Sequence, residues 1–187
     1  MDSVADEKFS LRQQLLQRRR EASDEQRAQW NAALSQHVLL WCRSNNIQTL
    51  GVYCAIRGEP DLAAAFTALD EDGVVLALPI VQERDAPLLF ARWQPGDALV
   101  KDEMGVPVPA LQVLIAMPQA LLIPCVGFND AHYRLGYGGG YYDRTLARAP
   151  RPLAVGVAYS SSRAEFAAEA HDIALDAIIT ESGASPS

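Results

Sequence analysis

The chain has 187 residues, 49% of them apolar, and carries 16 basic against 23 acidic side chains, a formal net charge of −7. That length suits a single domain over residues 1–187, able to bury roughly 70% of its unfolded surface. The acidity excludes a protein that mainly coats nucleic acid, since counterion release from phosphates needs a basic face. Cys42, Cys54 and Cys125 are too far apart for a CxxC pair and odd in number, which excludes a disulfide framework or zinc knuckle and fits a cytoplasmic setting.

In chain order, Phe9, Leu11, Leu15 and Leu16 form an apolar stripe that predicts a helix from Lys8 to about Ala22. The N-terminus is acidic and lacks the apolar run of a signal peptide. Arg18, Arg19 and Arg20 suggest a basic arm, but residues 1–30 hold six basic and six acidic side chains, so the run reads as a solvated helix face. Ser23-Asp24-Glu25-Gln26 is a capping box that starts a second helix reaching about Arg43. A strand is expected at Ile47 to Tyr53, then a turn with Pro60 near the first position of a helix. The run from Val74 to Val81 lacks polar alternation, as a strand buried on both faces does, and "PLLFARW" ending at Trp93 reads as another. Residues Gln94 to Ala110, rich in Pro, Gly and charge, read as an ordered surface loop.

The segment Val113 to Phe128 is too short to span a bilayer and is broken by Pro118 and Pro124, so no membrane partner is expected. "ALLIPCVGF", "LAVGVAY" and "DAIIT" supply three further strands, "YYDRTLARA" and "SRAEFAAEA" short helices, and the tail from Thr180 to Ser187 reads as frayed. Alternating strands and helices predict an α/β fold: a three-layer, Rossmann-like sandwich with a mostly parallel central sheet flanked by helices and ligands at the carboxyl ends of its strands. His37, His132 and His171 show no metal-ligand spacing.

The chemistry concentrates in "RLGYGGGYYDR", Arg134 to Arg144. It lies between a strand and a helix, where backbone N–H groups favour an anion. No Lys-Ser/Thr pair completes a Walker loop, and Tyr141 stands where a dinucleotide fingerprint needs glycine. Glycines alone leave a positive-φ turn and a phosphate cradle equally open. Arg134 can fork onto a phosphate and Asp143 can hold the Mg²⁺ that accompanies ATP; their alternative roles are a surface ion pair and a helix-dipole partner.

The stretch "LIPCVGFNDAHYRLGYGGGYYDR" resembles the signature region of the 5-formyltetrahydrofolate cyclo-ligase family. The resemblance extends to Lys8-x-x-Leu11-Arg12, to "GEPD" with Glu59, to "MGVPVP" and to "HDIALDAIIT", in the family's order and over most of the chain. It implies an ATP- and Mg²⁺-dependent conversion of 5-formyltetrahydrofolate to 5,10-methenyltetrahydrofolate with release of ADP and phosphate, carried out by a monomer or weak homodimer. By the same resemblance, Lys8 and Arg12 would reach the ATP phosphates together with Arg134, Leu135, Gly136, Tyr137, Gly138, Gly139, Gly140, Tyr141 and Tyr142. Arg134 and Tyr142 would be catalytic, and Asp143 and Asp172 would bind the metal. Cys54, Glu59, Tyr137, Gly138, Gly139, Gly140 and Tyr141 would contact the folate. Phe90 and Trp93 suit either core packing or the wall of the folate pocket. Two other readings stay open on the residues alone: an ATP-independent sugar-phosphate isomerase or acyl-CoA transferase relative sharing the layered fold, and a binding module without turnover.

Overall fold

The computed structural model describes residues 4–186. Two helices lead, α1 (Val4–Glu21) and α2 (Asp24–Ser44). The turn between them is fixed by the expected capping box: Ser23 Oγ accepts from the Gln26 N–H, while Gln26 Oε1 accepts from the Ser23 N–H, both at 3.1 Å. Then follow β1 (Thr49–Gly51), α3 (Ala63–Glu71), β2 (Val75–Ile80) and β3 (Leu89–Arg92). The middle of the chain adds β4 (Leu99–Lys101), β5 (Pro107–Pro109), β6 (Leu114–Ile115) and β7 (Ala120–Pro124). It closes with β8 (Gly127–Phe128), β9 (Arg134–Leu135), α4 (Tyr141–Leu146), β10 (Leu153–Val157), a 3-10 turn at Ser160–Ser162, β11 (Ala177–Thr180) and β12 (Gly183–Pro186).

Eight strands form one sheet in the order β12-β11-β10-β7-β1-β2-β3-β6. The five from β11 to β2 run parallel, and β12, β3 and β6 are antiparallel additions at the edges. The parallel strands are apolar on both faces because both faces are covered. On one side Leu34 and Val38 of α2 and Phe66 and Leu69 of α3 pack on Leu50, Leu76, Leu122 and Val155. On the other, Leu146 of α4 joins Phe90, Leu121, Ile123 and Ile178. The result is the expected three-layer α/β fold. Among the described residues no helix is long and apolar enough to cross a membrane.

Five local expectations are corrected. The apolar stripe is only part of the inward face of α1: Leu15 is buried with Leu11 and Leu16 packed beside it, but Phe9 is 62% exposed, and Lys8 and Arg19 are buried instead of solvated. Pro60 precedes α3 by three residues, the N-cap is Leu62 without a side-chain cap, and Asp61 Oδ1 accepts from the Ala63 N–H just before the helix. The loop 94–110 contains the hairpin β4–β5. "SRAEFAAEA" forms no α-helix: its backbone is drawn onto β8 through Ala164 N–H to Phe128 O at 2.9 Å, so tertiary contacts override helix propensity. The tail is not frayed as far as Pro186, because β12 pairs with β11 from Gly183 to Pro186.

Candidate functional site

The sequence places Arg134 in a loop; the structure places it on β9, the second strand of a small hairpin with β8. The hairpin emerges from the carboxyl end of β7, next to the loop that leaves β1, which is where ligands bind in open parallel sheets. Between β9 and α4 the chain runs through the glycines. Gly138 (φ 96°) and Gly140 (φ 65°) sit in the conformation that side chains disfavour. Gly139 lies outside the positive-φ region, but a Cβ there would lie 2.9 Å from the Tyr141 ring. Gly140 leads into α4 without any side-chain cap on the helix's first N–H groups.

Two cation–carboxylate clusters are joined through the segment from Glu169 to Ile173, beside the glycine loop. Lys8 Nζ, 5% exposed, donates to Glu169 Oε2 and Asp172 Oδ2, each at 2.8 Å. Arg134 pairs with Asp143 Oδ2 at 2.8 Å and donates to the Ile173 carbonyl at 3.3 Å. Asp143 Oδ1 accepts from the Ile173 N–H at 3.1 Å, so the two carboxylates assigned to the metal are tied to neighbouring residues of one loop. Burial alone would disfavour the charge on Lys8, but its bonds to Asp172 and Glu169 outweigh it and leave the ammonium pKa above its ordinary value. Burial likewise opposes ionisation of Asp172; the Glu169 N–H and Lys8 outweigh it and hold the carboxyl below the usual range. Glu169, His171 and Asp172 offer ligand atoms within 4.8 Å of one another. The carboxylate oxygens of Glu169 and Asp172 are donors of the type a hard cation such as Mg²⁺ takes, and in this structure they are engaged by Lys8.

A third group is built differently. Glu59, 5% exposed, accepts from the Tyr137 hydroxyl at 2.9 Å and from the Ile56 N–H at 3.0 Å. Arg19, 3% exposed, donates to the Tyr137 oxygen at 3.4 Å and to the Cys125 carbonyl at 2.6 Å. Arg57 lies over the Tyr137 ring, 5.0 Å from its centroid. Burial raises the Glu59 pKa, opposed by the Ile56 N–H, Tyr137, Arg19 and Arg57. Burial and the Glu59 charge push the Tyr137 phenol up to about 12, and burial also raises Tyr142.

The structure therefore brings together Lys8, Asp172, Arg134 and Asp143, and separately Tyr137 and Glu59. Arg12 holds the glycine loop by donating from Nε to the Gly136 carbonyl at 2.8 Å. Tyr142 lies under Arg134, with the guanidinium carbon 5.9 Å from its ring centroid, and Tyr141 lies under Arg144 at 4.9 Å. The Leu135 side chain does not join them: it packs on Leu15 and Val126. The Cys54 side chain packs against the core between the sheet and the α2–α3 layer. Phe90 and Trp93 are core residues on opposite faces of the sheet. Sequence reasoning missed Arg19 and Glu169. The signal for Arg19 was present: positions 8, 12, 15 and 19 share one helical face, and three of the four are basic.

A model of the 5-formyltetrahydrofolate cyclo-ligase family matches residues 4–181. The chain is 30% identical to the 5-formyltetrahydrofolate cyclo-ligase of Escherichia coli over 174 residues, 89% of this chain and 96% of that protein. It is 31% identical to the enzyme of that name from Mycolicibacterium smegmatis over 185 residues, 92% of this chain and 93% of the relative. Among solved structures, the 5,10-methenyltetrahydrofolate synthetase of Mycoplasma pneumoniae superposes with a TM-score of 0.77 at 28% identity, covering 93% of this chain and 98% of that one. The Aquifex aeolicus 5,10-methenyltetrahydrofolate synthetase gives 0.78 at 30% identity, covering 96% and 92%.

Proposed function

The chain belongs to the 5-formyltetrahydrofolate cyclo-ligase family, and from that premise we propose that it closes the N5-formyl group of 5-formyltetrahydrofolate onto N10 at the expense of ATP. The observation that carries the reading is the meeting of two unlike subsites on one loop. The cation–carboxylate clusters of Lys8, Asp172, Arg134 and Asp143 suit a triphosphate and its metal. The relay from Arg19 through Tyr137 to Glu59 ends in a carboxylate that suits the N–H donors on a pterin edge.

The chemistry explains why both are needed. A formyl group on N5 is an amide, whose carbon is a poor electrophile and whose oxygen leaves badly. The oxygen attacks the γ-phosphorus of ATP, the bond to the β-bridging oxygen breaks, and ADP departs, leaving an imidate phosphate. The N10 lone pair then adds to the activated carbon, the N10 proton is lost, and inorganic phosphate leaves to give the methenyl bridge. Phosphoryl transfer of this kind needs positioning and charge stabilisation more than covalent help.

Lys8 and Arg134 supply positive charge to the phosphates, while Arg12 secures the Gly136 turn. Mg²⁺ held by Asp143 and Asp172 would offset phosphate charge. Those two carboxylates already face cations of this chain, so arrival of a triphosphate lets Lys8 and Arg134 exchange one anionic partner for another. Tyr142, its phenol pKa raised by burial, is a neutral donor at the working pH. Purified protein mixed with 5-formyltetrahydrofolate, Mg²⁺ and ATP should produce the methenyl chromophore, and should not do so without ATP. No ATP-dependent product from folded protein refutes the reading.

A further inference from the structure

Arg19 stands at the head of the relay to Glu59 without facing the folate itself, yet it is the most completely buried of the cations at the site. A surface arginine is shed into water at little cost; this one is 3% exposed and leaves its Nε–H with no hydrogen-bond partner in the protein. An unsatisfied buried donor costs free energy, so its retention points away from stability as the reason for its presence. Its two remaining contacts explain more. Nη2 is anchored on the Cys125 carbonyl just beyond β7, and Nη1 donates to the Tyr137 oxygen. An arginine only donates. With an incoming hydrogen bond from Arg19, the Tyr137 hydroxyl turns its single proton to Glu59 Oε1, while Glu59 Oε2 is taken by the Ile56 N–H.

We propose that Arg19 is a positioning residue for the folate half of the site: it fixes the direction of the Tyr137 hydroxyl and keeps Glu59 an anion able to accept from the donor edge of the ring. The proposal rests on the folate reading above and names a residue that acts through Tyr137 and Glu59 without touching substrate. The charged and titratable groups facing Glu59 are Arg19 from α1, Arg57, Tyr53 and Cys125 from the loops and strands around β1 and β7, and Tyr137 and Tyr142 from the glycine loop and α4. Burial already raises the Glu59 pKa, and only Arg19 and Arg57 among these bring positive charge to oppose it. Arg57 is exposed and screened by water, so the buried cation is the one whose loss matters. The sign follows: without Arg19 the Glu59 pKa rises further, and an acceptor that must be ionised is lost at a higher pH as the solution is acidified.

The test compares wild type, Arg19→Met, Arg19→Lys and Arg57→Gln. In the ligand-free protein, carbon-13 NMR of labelled glutamate should show Glu59 titrating at higher pH in Arg19→Met, close to wild type in Arg19→Lys, and with a smaller shift in Arg57→Gln. In turnover, Arg19→Met should raise KM for 5-formyltetrahydrofolate roughly tenfold or more, the scale of a lost charged hydrogen bond, with KM for ATP within about twofold. The acid limb of kcat/KM for the folate should move to higher pH, and Arg19→Lys should restore it. An unchanged Glu59 titration, or equal losses for folate and ATP, overturns the proposal. If Arg19→Met does not fold, Arg19→Lys and Arg57→Gln still decide it: a lysine that shifts the titration no less than the loss of Arg57 overturns it. The NMR readout needs no substrate, so wild-type protein without turnover would refute the folate reading and leave the Arg19–Glu59 coupling to be judged separately.

Discussion

The two ends of the site handle charge in opposite ways. At the phosphate end, Lys8 and Arg134 are each held by carboxylates in direct ion pairs at 2.8 Å. At the Glu59 end, one carboxylate is satisfied by a backbone N–H and a phenol, and its counter-charge stands one hydrogen bond further away on Arg19. Matched ion pairs can trade partners, since an incoming polyanion and cation replace like with like. A buried relay cannot, because each donor there has one direction it can point. The first suits a ligand that arrives charged and is chemically changed; the second suits a neutral heterocycle that has to be held in one orientation.

Arg134→Ala is the harshest probe of the exchangeable end. Removing one preorganised charge-stabilising donor costs about 100-fold or more in kcat, and steady-state kinetics on folded protein should show it. Near-normal turnover would reduce Arg134 to a partner for Asp143 and dissolve the contrast. At the fixed end, Glu59→Gln should raise KM for the folate by roughly 10- to 100-fold, as a lost charge-assisted acceptor does, with KM for ATP little changed. The same substitution should not lower the melting temperature at neutral pH. The Glu59 pKa is raised in the folded protein, so its ionised form costs stability, a cost relieved as pH falls through that raised value. A large drop in melting temperature would make Glu59 a structural residue. The smallest effect is expected from Asp143→Asn, which should raise the Mg²⁺ concentration giving half-maximal rate about tenfold, the scale of a weakened metal ligand; unchanged metal dependence removes Asp143 from the ligand set.

Much of this was legible in the sequence where the pattern is long or the local chemistry is specific. Val74 to Val81 reads as a buried strand because both faces of β2 are covered, and the Ser23–Gln26 box closes as its spacing requires. The glycines of the loop were legible as a turn, and the structure separates their causes: dihedral for Gly138 and Gly140, the neighbouring ring for Gly139. The hairpin of β8 and β9 was not legible, because two-residue strands have no period to read. The segment after Arg163 has helical composition, yet it is held as a loop by Arg163 on Asp130 and by Asp172 turning back on the Glu169 N–H. The face of α1 was read only in part: Leu11, Leu15 and Leu16 do turn inward, but Phe9 does not, and apolarity gave no sign of the cations beside them. On this helix the buried positions are mostly cations whose partners lie more than a hundred residues away.

That same stripe makes α1 a lever as well as a wall. Lys8 and Arg19 are separated by eleven positions of continuous helix, about 16 Å at 1.5 Å per residue, so a stiff rod joins the phosphate end to the ring end. The spacing between the two ends is therefore set by one helix before either ligand arrives, with Lys8 anchored on Asp172 at one tip and Arg19 on the Cys125 carbonyl at the other.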